Sequence, residues 1–193
     1  GFPVTNLGQL PTMGNANIIF VKVAWSDAPP HPDLPKDYLE EQAKKLSDLS
    51  KFWSQGKFSY EFQMVDGWIE IDANHKDFSL NFGSGEEHVE EVYEKAEGIY
   101  EDITRLVVSN LPEDLNYRDA DLIVAYMSPT IKEFDMSIGW SNGVLDTPDG
   151  PQRIPFMANG NYMAQKNNWP YTWTWLAHDF LHYQGLNEHA PGN

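Results

Sequence analysis

The chain has 193 residues, of which 41% are hydrophobic and 13% aromatic, enough for one domain with a substantial core and too apolar for a disordered polypeptide. A formal charge of −16 makes nucleic acid and anionic membrane poor partners, since like charges repel. The absence of cysteine excludes disulfides and thiolate metal ligands, so any metal must be held by His, Asp, Glu or backbone oxygen.

Residues 1–17 are rich in Gly, Pro, Asn and Thr and read as an irregular lead-in. The start, Gly1-Phe2-Pro3, has neither an initiator Met nor the pattern of a signal peptide, which suits a mature form or an excised domain. The apolar run Ile18–Trp25 predicts a strand covered on both faces, ended by Ser26-Asp27-Ala28-Pro29-Pro30. From Lys36 to Ser54, apolar residues at Leu39, Ala43, Leu46, Leu49 and Trp53 have helical spacing, with Pro35 before and Gly56 after. Phe58–Val65 and Trp68–Ile71 flank Asp66-Gly67, the pattern of a β-hairpin.

Ser84 and Glu87 form a capping-box pair, and the apolar stripe from Val89 to Val107 predicts a long helix over Glu86–Asn110 with an acidic solvated face. Ala120–Met127 reads as a second buried strand. Residues 128–170 are turn-rich, with short strands expected at Ser137–Ser141 and Arg153–Ala158 in a region suited to shaping a binding surface. The last element is a helix from Tyr171 to Gln184, stopped by Gly185, with Trp169, Tyr171, Trp173 and Trp175 packing to position it. This order predicts an α/β fold, one domain over 1–193, with a mixed, mostly parallel sheet and packed helices.

The chemistry concentrates on the last helix. His178 and His182 are four apart, so their imidazoles share a face and suit one tetrahedral metal ion. Asp179 follows the first of them, where a carboxylate next to a ligand serves as base in the H-E-x-x-H pattern. One helix offers two ligands easily. Gly185 lets the chain turn, and either Glu188 or His189 is placed to supply the third. Zinc is the metal expected. Asp72-Asn74-Asp77 and Asp146-Asp149 are oxygen clusters of the kind that take Ca2+. His31, His75 and His88 are expected at the surface.

The segment His178–Glu188 resembles the zinc motif of the metzincin peptidases, and most of all the immune inhibitor A-like branch, H-E-x-x-H-x-x-G-L-P-D, in which Glu188 falls at the acidic third-ligand position. Further segments are similar to that family: Ile18–Asp27, Phe52–Phe58, Trp68, Tyr117–Tyr126 and Ile138-Gly139-Trp140-Ser141. The resemblance implies a secreted zinc endopeptidase that hydrolyses protein or peptide substrates with metal-activated water. It also implies an upper subdomain with the active-site helix near its C-terminal end, and an edge strand within residues 137–160 to align the peptide.

Two departures stand out. Asp179 is one methylene, about 1.5 Å, shorter than the usual Glu, and a displacement of about 1 Å can cost about 10²-fold in rate. No Met follows Met163, so the family's lower subdomain with its Met-containing turn is expected to be missing or supplied by another chain or domain. A weakly active or inactive metal-binding or interaction module of the same ancestry is therefore the alternative expectation, and histidines that merely pack are a third.

Overall fold

The computed structural model describes residues 10–78, 101–128, 144–159 and 166–186, with 138–139 and 159 as backbone only. At its centre runs β1 (Gly14–Trp25), longer than its apolar run because residues 14–17 of the expected lead-in are already strand. Twelve residues give β1 room for two partners in series on one side. β2 (Phe58–Met64) pairs parallel with residues 14–20, and β3 (Ile69–Ile71) pairs parallel with residues 23–25. Val23 pairs with β3 on this side and with β4 (Leu122–Met127) on the other.

The Asp66-Gly67 hairpin expected from sequence is therefore corrected: β2 and β3 run in the same direction and do not pair with each other. A two-residue reversal of type I′ needs positive φ at both central residues. Only Gly67 has it (φ 85°), and Asp66 does not, so the chain jogs and continues along β1.

β4 pairs parallel with β1 and with β8 (Phe156–Asn159), and β5 (Ile138–Gly139) pairs antiparallel with β8. The order β2-β1-β4-β8-β5, with β3 beside β1, is the mixed, mostly parallel sheet of an α/β fold. β6 (Leu145–Thr147) and β7 (Gly150–Gln152) form a small separate hairpin that the turn-rich composition of 128–170 concealed.

Alternation along β1 splits the core in two. Ile19, Val21, Val23 and Trp25 face Ile103, Val107 and Val108 of α2, which is helical over residues 101–108. Residues 86–100 of the expected long helix, with its capping box, lie outside the described residues. Ala16, Ile18 and Phe20 face the opposite layer. There α1 (Tyr38–Trp53) contributes Leu39, Ala43 and Leu46, and α3 (Thr172–Tyr183) contributes Leu176, Ala177 and Phe180. Burial of both sheet faces is what near-continuous apolar strands demand.

Candidate metal centre

Helix α3 buries Thr172, Leu176, Ala177, Phe180 and Tyr183, a spacing of three and four that turns one face to the sheet. Trp175, His178, Asp179 and His182 follow the same spacing on a second stripe. The buried face fixes the helix's rotation, which leaves Trp175 and His178 exposed and Asp179 and His182 half-buried.

Polar anchors fix its position. The Tyr38 hydroxyl donates to Thr172 Oγ1 at 2.5 Å, and the Trp173 amide donates to Gln42 Oε1 at 3.1 Å. At the other end the Tyr60 hydroxyl donates to Gln184 Oε1 (3.1 Å), Gln184 Nε2 donates to the Pro11 carbonyl (2.9 Å), and the Leu10 amide donates to the Tyr183 carbonyl (3.0 Å). Tyr38 and Tyr60 are raised above the usual phenol range by burial, so both remain neutral donors. Of the aromatic stretch, Trp169 is buried and Trp173 half-buried, whereas Tyr171 and Trp175 are exposed. Trp169 and Trp173 pack as expected.

The helix stops as the sequence predicts. Gly185 has φ 96°, its amide donates to the His182 carbonyl, and the Leu186 amide donates to the Leu181 carbonyl, both at 3.0 Å. This is a Schellman ending, which satisfies carbonyls that the last turn leaves open. It also turns the chain back, so that the Leu186 carbonyl lies 2.6 Å from His182 Nδ1.

The two imidazoles meet on one side of α3, with ring centroids 4.6 Å apart and planes at 89°. His178 Nδ1 lies 3.1 Å from Asp179 Oδ1. A carbonyl and a carboxylate only accept, so these two contacts favour the tautomer with the proton on Nδ1 and the lone pair on Nε2. The His178 side chain is 44% exposed and that of Asp179 15%. Asp179 Oδ2 is buried, and the Asp179 charge adds to burial in pushing the Tyr183 phenol up.

Imidazole is a borderline ligand of a type that zinc takes, and two are present here. Among the described residues no three His, Asp or Glu side chains gather into a metal-holding group. Glu188 and His189 lie outside the described residues. Asp72, Asp77, Asp146 and Asp149, the carboxylates considered for calcium, form no such group either.

Of the remaining histidines, one departs clearly from expectation. His75 is buried, not on the surface: its amide and Nδ1 both meet Asp27 Oδ1, at 2.7 and 2.9 Å. Burial raises the Asp27 carboxyl, but the hydrogen bonds and charge of His75 outweigh it and hold the group below its usual value. His31 is half-buried with its ring edge-on to Trp169, 5.3 Å between centroids. His88 lies outside the described residues.

Sequence reasoning missed the groups that hold the two rings. Asp179 is read by its motif position as facing water, yet one of its oxygens faces the neighbouring ring. The Leu186 carbonyl carries no side-chain signal, although a glycine at the position after the helix cap foretells a returning backbone. No family model matches the chain, and no curated protein matches it. Among the described residues no helix is long and apolar enough to cross a membrane.

Proposed function

We propose that the chain is a zinc-dependent endopeptidase-like domain whose metal is held by His178 and His182 together with Glu188 or His189. The observation that carries this reading is the perpendicular pair of imidazoles one helical turn apart, each with Nδ1 against an acceptor, an arrangement in which Nε2 would coordinate. The turn at Gly185 supports a third ligand. It sets the Leu186 backbone against the His182 ring, and covalent geometry keeps the Cα of Glu188 within about 7 Å of that of Leu186.

Zinc bound there would supply Lewis acidity and lower the pKa of a coordinated water toward about 7. The chain's own contribution is to orient both rings and to place the Asp179 carboxylate beside the first of them, where it is the candidate acceptor for the water's proton. Among the described residues β5, within the region expected to hold the edge strand, stands at the end of the sheet order. An extended peptide paired along that border is the substrate geometry this reading implies. A secreted setting belongs to the same reading.

A specific observation favours a second reading. Because Asp179 Oδ1 lies against His178, the carboxylate is partly engaged, and a metal-binding module with little or no hydrolysis fits that geometry.

The test is elemental analysis of protein purified without chelator, with peptide hydrolysis assayed after zinc is restored. One zinc per chain, lost in His178→Ala and His182→Ala, together with hydrolysis in the parent chain alone, is the expected result. Stoichiometric zinc without hydrolysis would select the binding module. Zinc content unchanged in both variants would overturn the assignment.

A further inference from the structure

The carboxylate beside the first histidine has a further task, in addition to the one its motif position implies. We propose that Asp179 is a positioning residue: through Oδ1 it holds the proton of His178 on Nδ1, so that Nε2 is presented to the metal. The inference rests on the zinc reading for its consequence, but the tautomer itself exists in the metal-free protein.

Two observations converge. Asp179 Oδ1 lies 3.1 Å from His178 Nδ1. The Asp179 side chain is mostly withdrawn from solvent, with Oδ2 buried, while the ring it holds is far more exposed. A carboxylate so placed acts on the ring next to it.

The second ring shows the same device with another acceptor. His182 Nδ1 faces the Leu186 carbonyl at 2.6 Å. A carboxylate for one ring and a backbone carbonyl for the other are the usual outer partners of metal-binding imidazoles, and their loss typically costs 10–100-fold in metal affinity. In water imidazole favours the opposite tautomer, with its proton on Nε2, so a ring left unheld must switch before it can coordinate through Nε2. The shorter side chain of Asp, relative to Glu, suits a contact with an immediate neighbour better than a reach toward substrate.

The experiment uses the full chain, without and with zinc. In the metal-free protein, 15N NMR of the imidazoles should show His178 as the Nδ1–H form in the parent and in Asp179→Asn, whose amide oxygen accepts the same bond. In Asp179→Ala it should move toward the Nε2–H form, with His182 unmoved. In chelator competition Asp179→Ala should bind zinc 10–100-fold more weakly, and Asp179→Asn within a few-fold of the parent. Unchanged His178 spectra in Asp179→Ala would overturn the proposal, as would equal affinity losses in the Ala and Asn variants. A parent chain that binds no zinc would sink the zinc reading while the NMR arm still decides the role of Asp179. Near-isosteric Asp179→Asn guards against misfolding as the cause of any loss.

Discussion

Gln42 on α1 accepts, through Oε1, the backbone N–H of Trp173 in the first turn of α3, at 3.1 Å. A side chain from a different helix thus satisfies one of the donors that a helix start leaves open, at a helix with no side-chain cap of its own. Gln42 is 1% exposed, so the bond is shielded from water. Gln42→Ala should lower stability by about 1–3 kcal/mol, the cost of a buried polar group left unmet. Urea unfolding measures it. A loss under about 0.5 kcal/mol, ordinary for a neutral surface change, would show that the contact has no such role.

Gly185 tests the turn that returns the chain to His182. An ideal Cβ there meets nothing within 4 Å, so a substitution acts through the backbone alone. Gly185→Ala should cost about 1–2 kcal/mol for its left-handed conformation, whereas Gly185→Asn should cost less, because Asn adopts that region more readily. On the zinc reading the Ala variant should also bind metal more weakly, as the Leu186 carbonyl shifts from the ring. Denaturation curves paired with chelator competition give both numbers.

Metal removal should be visible in melting. A ligand that binds only the folded chain adds about 2.7 kcal/mol at a hundredfold excess over its dissociation constant. Scanning calorimetry with zinc and with chelator should give a higher Tm in the first case for the parent chain, and identical curves for His178→Ala. The fold itself should survive that substitution, because the His178 ring is exposed rather than part of the core.

The Asp27–His75 pair gives a pH dependence whose sign is fixed. The Asp27 carboxyl is lower in the folded chain than its usual value. Its contribution is therefore fully present above the unfolded value of about 4, and it drains away as pH falls through the lower folded value. Asp27→Ala should be less stable than the parent at pH 6, and the gap should close as the pH is taken below about 4. A gap that stays constant from pH 6 to pH 3 would contradict this account.

The central elements of the fold were legible because periodicity reports burial. The apolar run of β1 and the helical spacing of Leu39, Ala43 and Leu46 each name a core face, and each face is buried. Asp66-Gly67 misled because a dipeptide reports local turn chemistry, while the direction of the chain after it is settled by whether β1 has an open flank to receive three more residues. His75 misled for a similar reason. A histidine among Asp, Asn and Lys looks solvated, and its burial depends on Asp27, 48 positions earlier. At the candidate site the pairing of His178 with His182 follows from helix geometry alone. The orientation of each ring does not, since it depends on acceptors that a motif does not display.

Among the described residues the central strand finds none of its partner strands by local reversal. β1 pairs Gly14 with Phe58, Val23 with Ile69, and Ile18 with Leu122. Each pairing closes a loop of tens of residues before any ladder bond forms, which makes assembly slow for a chain of this length. During that interval Ile18–Trp25 is an uncharged stretch except for Lys22, with strong strand preference and no covering layer. Refolding yield should therefore fall with protein concentration, through strand-to-strand capture between copies. The buried Lys22 is the one gatekeeper charge in the segment most prone to it.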